Sequence, residues 1–307
     1  MSSASPILVV GSVAFDSVET PFGKANEVLG GSAIYFSTSA SYFAPVRVVG
    51  VVGDDFPPDA LAFLDGRPVD LSGLVRKPGR TFRWTGSYGF DLNEARTLDT
   101  QLNVFAEFKP ELPEGFRDSP YVFLGNIDPE LQADVLDQVR SPRLVAADTM
   151  NFWISGKLDA LRRVLARVDL LLINEAEARQ LAGEANLVKA ARAIRGMGPR
   201  ILIVKRGEYG ALMFHGEGVF AAPGYLLEAV FDPTGAGDTF AGGVLGFVAR
   251  EGRLDEPTLR RAIVAGGVMA SFNVEAFSLD RLKALAPGDI SARYEAFRRL
   301  CAFEELA

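Results

Sequence analysis

Short apolar runs rich in β-branched residues recur along this chain: Ile7–Val10 running into Gly11, Val46–Gly53, Tyr121–Leu124, Leu144–Ala147, Leu170–Ile173 and Ile201–Val204. None alternates apolar with polar residues, as a strand buried on both faces should not. From Tyr121 onward the runs are separated by helix-like segments. Helix-start signals agree with this reading, for Asn174 is followed by Glu175 and Glu177 in what would be a first turn. Strands that alternate with helices pair in parallel, so the expected fold class is α/β, a three-layer α/β/α sandwich around a mainly parallel central sheet. The 307 residues suffice for one well-buried domain spanning 1–307, and no repeat or interdomain linker interrupts them. Gly30-Gly31-Ser32 opens a closely packed helix reaching Phe43, and beyond Asp232 the chain reads as helices over 236–250, 257–273, 279–285 and 290–301.

One region breaks the rhythm. From Arg80 to Phe108 the chain reads as alternating strand, with Phe82, Trp84 and Tyr88 on one parity and Arg83, Thr85 and Ser87 on the other. Asp91-Leu92-Asn93-Glu94 is a turn before a second strand expected over 100–108. The expectation is an antiparallel hairpin inserted between α/β units, forming a small β lid from segments at about 17–29 and 80–108. The alternative is an ordinary sheet edge.

Composition removes several kinds of chemistry. Lys and Arg number 32 against 39 Asp and Glu, a formal charge of −7, which argues against a surface that coats nucleic acid. One histidine, His215, and one cysteine, Cys301, leave no disulfide within the chain and no basis for a Cys/His zinc site. His215 falls in a hairpin turn and Cys301 near the end of an amphipathic helix, positions that packing explains. The N-terminus shows no signal-like segment and no apolar run is long enough to span a membrane, so a cytoplasmic location is expected.

The strongest local signal is Asp232-Pro233-Thr234-Gly235-Ala236-Gly237-Asp238-Thr239-Phe240-Ala241-Gly242-Gly243. Two glycines ahead of a small-residue helix let backbone amides converge at its positive end, which makes an anion site. Asp238 in the first turn is a candidate base for an attacking hydroxyl. No G-x-x-x-x-G-K-[ST] string occurs, and the third glycine of the dinucleotide fingerprint is missing. An oxidoreductase is therefore disfavoured.

With these residues in place, the chain resembles the ribokinase-like (PfkB) family of carbohydrate and nucleoside kinases. Gly235-Ala236-Gly237-Asp238 matches the family's C-terminal signature, and Gly30-Gly31 before a small-residue helix resembles the N-terminal one. Gly11-Ser12-Val13-Ala14-Phe15-Asp16 resembles its first substrate-contacting segment, Asn174-Glu175-Ala176-Glu177 its N-x-x-E motif, and Val204 to Ala211 its nucleotide-side strand and turn. The resemblance implies that Gly235, Ala236 and Gly237 form an anion hole and that Asp238 is the base. It places Asp16, Gly30, Gly31 and Tyr35 on the acceptor. It sets Lys205, Gly207, Gly210 and Asn273 on the nucleotide, Asn273 serving equally well as a helix cap. Asn174 and Glu177 would act on Mg²⁺ through water, and Asp232 and Thr234 on a monovalent cation, K⁺.

Two departures bear on the acceptor. Tyr35 stands where the family commonly has Asn, and a phenol cannot reproduce an amide's paired donor and acceptor. Asp148-Thr149-Met150-Asn151 resembles the family's D-x-N strand end with one residue added, and Phe152-Trp153-Ile154 follow instead of a basic residue. No arginine grip on a phosphosugar is expected there, which leaves Arg83 and Arg96 as candidate anion contacts. The resulting expectation is an ATP-dependent kinase acting on a hydroxymethyl group of a small sugar. A nucleoside kinase is the alternative, and a catalytically silent sugar- or nucleotide-binding regulator is a third reading. An open lid edge further suggests a homodimer through residues 80–108.

Overall fold

The computed structural model describes residues 4–304. Its strands are β1 (Ile7–Val10), β2 (Ala14–Thr20), β3 (Gly23–Gly30), β4 (Val46–Val52), β5 (Val69–Arg76), β6 (Phe82–Tyr88), β7 (Ala95–Gln101), β8 (Tyr121–Leu124), β9 (Leu144–Asp148), β10 (Leu170–Asn174), β11 (Ile201–Lys205), β12 (Ala211–His215) and β13 (Gly218–Ala222). Its helices are α1 (Ser32–Ala40), α2 (Pro129–Leu136), α3 (Asn151–Gly156), α4 (Leu158–Leu165), α5 (Glu175–Ala182), α6 (Leu187–Arg195), α7 (Ala236–Glu251), α8 (Glu256–Asn273), α9 (Asp280–Lys283) and α10 (Pro287–Leu300).

The large sheet runs β13-β12-β11-β10-β9-β8-β1-β4-β5. Its strands are parallel from β11 through to β5, and β12 and β13 add an antiparallel edge. Every residue of β1 is fully buried. Ile7 and Val9 face one apolar layer, filled by Ile34 and Phe36 of α1, Val244 and Leu245 of α7 and Met269 of α8. Leu8 and Val10 face the other, filled by Val135 of α2, Leu161 of α4, Leu181 of α5 and Ile194 of α6. The two-residue period of a strand thus feeds two cores, which is why these runs are continuously apolar. The three-layer α/β/α architecture is as expected.

A separate four-stranded sheet is ordered β3-β2-β6-β7. Strands β6 and β7 form the antiparallel hairpin, and β2 joins it by pairing parallel with β6. The region is therefore not an edge of the large sheet. The second hairpin strand ends at Gln101 instead of filling 100–108, and Asn103–Glu107 form a 3₁₀ turn. The apolar residues misread as strand fold back instead: Phe105 stacks on Phe82 and Phe108, and Val104 and Phe108 enter the second core.

The order of strands places the carboxyl ends of β1, β8, β9, β10 and β11 along one rim. In open α/β sheets that rim is where ligands bind. Among the described residues no helix is long and apolar enough to cross a membrane.

Candidate active site

Helix α7 begins at Ala236 behind Gly235, whose φ of 72° is a left-handed conformation that favours glycine. A Cβ at Gly235 would also collide with the ring of Tyr35. No side chain caps this helix. The Ala236 amide donates to Pro233 O at 3.1 Å, closing the turn. The amides of Gly235 and Gly237 have no acceptor among the described residues. An anion at this helix end would therefore be met by Gly235 and Gly237, with Ala236 holding the loop's shape.

Four hydrogen bonds through Asp232 and Asn273 hold that loop in place. Asp232 is 1% exposed, and its two carboxylate oxygens accept from Thr234 N at 2.9 Å and Ser278 N at 3.1 Å. Asn273, at the end of α8 and fully buried, donates to Thr234 O at 2.8 Å. Its side-chain oxygen accepts from Thr239 Oγ1 at 3.1 Å. Both polar atoms of the Asn273 side chain are thereby engaged, one on the loop and one on α7, so it supports the site through the Thr234 backbone.

Asp238 lies half-buried in the first turn of α7. Burial, followed by the charge of Asp148, pushes its carboxyl up to about 7, and Lys205 opposes the shift. Asp16, on β2, is 4% exposed and sits so tightly on Gly30 that a Cβ there would overlap its carboxylate. Burial and the charge of Asp232 raise Asp16 to about 7 as well, with the Gly31 amide pulling the other way. Gly31 (φ 94°) ends β3 and starts α1 where a side chain would press on Ser12 O. Tyr35 is 1% exposed, its ring lying against Gly235 and its hydroxyl without a partner. Burial is the main reason its hydroxyl resists ionisation, and the neighbouring Asp16, Asp232, Tyr88 and Asp238 add to it.

On the other side of Asp238 the ends of β9, β10 and β11 bring charges together. Lys205 Nζ donates to Asp148 Oδ2 at 2.7 Å, with the two side chains 17% and 7% exposed. Glu177 takes part in a capping box: Asn174 Oδ1 accepts from Glu177 N at 2.8 Å, and Glu177 Oε2 accepts from Asn174 N at 3.0 Å. Burial and Asp148 raise the Glu177 carboxyl to about 7, which Lys205 moderates. Asp148, Glu177 and Asp238 thus share one ammonium, and a hydrated divalent cation would offset the excess negative charge. Among the described residues no group of three or more His, Cys, Asp or Glu side chains is placed to hold an ion. The residues fit Mg²⁺ held through water and phosphate oxygens.

Gly207 and Gly210 flank a 3₁₀ turn after β11. The turn of the β6–β7 hairpin reaches this point, since a Cβ on Gly207 would overlap Asn93 Oδ1. Tyr88, at the end of β6, pairs its hydroxyl with Thr234 Oγ1 at 3.3 Å. The small sheet therefore touches both the Thr234 loop and the turn at Gly207. Arg83 is not free for an anion: it pairs with Glu27 at 2.5 Å and Asp55 at 2.8 Å. Sequence reasoning read Asp148 only as part of a strand end resembling the family's D-x-N and Tyr88 only as a lid aromatic, and gave neither a hydrogen-bonding partner. The parity of Tyr88 in its strand was the available signal for one, and the polar strand end for the other.

Comparison with known proteins fits this arrangement. The model of the pfkB family carbohydrate kinases matches residues 9–280. A cytidine kinase of Thermococcus kodakarensis is 31% identical over 257 residues, covering 81% of this chain and 91% of that protein. The crystal structure of a Methanocaldococcus jannaschii nucleoside kinase, an archaeal member of the ribokinase family, superposes with a TM-score of 0.75 at 19% identity, over 96% of this chain and 99% of that one. A Burkholderia thailandensis nucleoside kinase in complex with inosine gives 0.77 at 19% identity, over 94% and 98%.

Proposed function

We propose that this chain, which belongs to the pfkB family of carbohydrate kinases and is a phosphotransferase with an alcohol group as acceptor, phosphorylates the hydroxymethyl group of a nucleoside. The observation that carries the choice is Tyr35. An aromatic ring stands where an amide-bearing side chain would grip a sugar, and its buried hydroxyl lacks a partner. An unpaired buried hydroxyl costs free energy until a ligand group satisfies it. The similarity to a cytidine kinase supports the same reading.

In this reading the acceptor's hydroxyls lie on Asp16 and its CH₂OH approaches Asp238. Asp238 takes the hydroxyl proton as the oxygen attacks the γ-phosphorus of ATP, and the Gly235 and Gly237 amides receive the oxygen charge of the transferring group. Mg²⁺, when bound near Asn174 and Glu177, supplies charge neutralisation along the phosphates. K⁺ would lie by Asp232, a buried carboxylate without a cationic side-chain partner among the described residues. The small sheet acts as a lid, because Tyr88 and Asn93 tie it to the Thr234 loop and to Gly207. Strand β7 is exposed along its length, and its Leu98 and the nearby Phe90 are open to solvent, so a second copy pairing there would cover them.

A sugar acceptor is the second reading, and the family's breadth favours keeping it. Coupled ADP release across cytidine, inosine, adenosine, ribose and fructose tests the choice. Turnover with a nucleoside and none with free sugars is expected, and the reverse order would overturn it. Sedimentation at micromolar concentration tests the dimer, which a monomer would exclude.

A further inference from the structure

Lys205 occupies an unusual place for a nucleotide-side residue. It ends β11, yet its ammonium lies against the anion-hole loop: a Cβ built on Gly237 would stand 3.0 Å from Nζ. Gly237 contributes one of the two free amides of that loop and directly precedes the base Asp238. Asp148, from the end of β9, anchors the ammonium at 2.7 Å. No other acceptor engages Lys205 among the described residues, which leaves two of its three N–H donors free. Burial opposes the charge on this side chain, but Asp148 and Glu177 outweigh it and keep the amine protonated. A permanently charged donor, held on a rigid strand end beside two unpaired amides, is the arrangement that stabilises developing oxygen charge.

We infer that Lys205 is a catalytic residue that donates to an equatorial oxygen of the phosphoryl group in flight, and that Asp148 is the residue that positions it. This rests on the anion-hole reading of Gly235–Asp238. As the bond from the acceptor oxygen to the γ-phosphorus forms, the bond from that phosphorus to the bridging oxygen breaks. The acceptor's proton goes to Asp238, and the electron pair leaves on the β-phosphate of ADP. Lys205 gains and loses no proton, and its hydrogen bonds strengthen as charge spreads over the transferring oxygens.

The experiment compares Lys205→Met, Asp148→Asn, the double variant and Asp238→Ala, using MgATP and the best acceptor from the nucleoside and sugar panel. Lys205→Met should lower kcat by about 10²-fold or more, with KM for ATP changed less than about threefold. It also leaves Asp148 buried without its partner, so its Tm should fall. The double variant removes that unpaired charge, and its Tm should recover while kcat stays low. Recovery of kcat together with Tm would assign the pair a structural role and overturn the inference. Asp148→Asn alone should lose less kcat than Lys205→Met, since a mobile ammonium still reaches the loop. A loss as deep as the double variant's would assign the effect to Asp148 and overturn the role of Lys205. If Lys205→Met keeps its kcat while Asp238→Ala is inactive, this inference fails and the kinase site stands. Undiminished turnover in Asp238→Ala removes the reading on which both depend.

Discussion

The side-chain amide of Asn273 donates to the carbonyl of Thr234 at 2.8 Å, a bond that spans 39 residues of chain. With the bond from Thr239, it makes the end of α8 the support for the loop that carries the unpaired amides. Replacing Asn273 by Ala leaves buried polar groups on Thr234 and Thr239 without partners, at about 1–3 kcal/mol. Loop displacement should also reduce kcat by roughly tenfold, since small misplacements of reacting groups are costly. Thermal unfolding and steady-state kinetics on that variant check both effects, and the nucleotide KM should move less than kcat.

A positioned base typically contributes on the order of 10²–10⁴-fold, so Asp238→Ala should lower kcat by that much with ATP binding largely retained. Because burial and Asp148 lift Asp238 to about 7, the free enzyme's kcat/KM should fall on the acid side with a midpoint near that pH. A pH–rate profile flat from pH 5 to pH 8 would contradict the assignment.

Asp16 offers a test through stability. Its folded value of about 7 lies above the ordinary 3.8, raised chiefly by burial and then by Asp232. A carboxyl of this kind favours the folded state below its ordinary value, and that contribution is lost as the pH rises through about 7. Asp16→Asn removes the buried charge, so the variant should be several degrees more stable than the parent at pH 8 and no more stable at pH 4. Acceptor affinity should fall in the same variant. Thermal unfolding at the two pH values and an acceptor titration read out the two effects separately.

Among the described residues the buried carboxylate of Asp232 has no cationic side-chain partner, and it accepts from the amides of Thr234 and Ser278. Activity in K⁺ should exceed that in Na⁺ at equal ionic strength, and Asp232→Asn should lose the difference. Equal rates in the two salts would remove the cation from the site.

Much of this was legible in the chain. Residues 7–10 and 170–173 read as doubly buried strands because their whole surface is apolar, and the fold class follows from their alternation with helices. The glycine turn that opens α7 was legible for a different reason: Gly235, Gly237 and Asp238 are neighbours, and a turn running into a helix is local geometry. The second hairpin strand was misplaced because Val104, Phe105 and Phe108 suit a strand and a core equally well, and only their packing against Phe82 decides.

The sequence alone determined the doubly buried strands and the glycine turn that opens α7, since both depend on residues close in the chain. The tertiary structure decided which charges meet there. Lys205 reaches Asp148 across 57 residues, and Asn273 reaches Thr234 across 39. Those partnerships follow from the order of β9, β10 and β11 in the sheet and from where α8 ends. Neither local propensity nor spacing encodes them, because a buried polar group takes whatever partner the packing brings within reach.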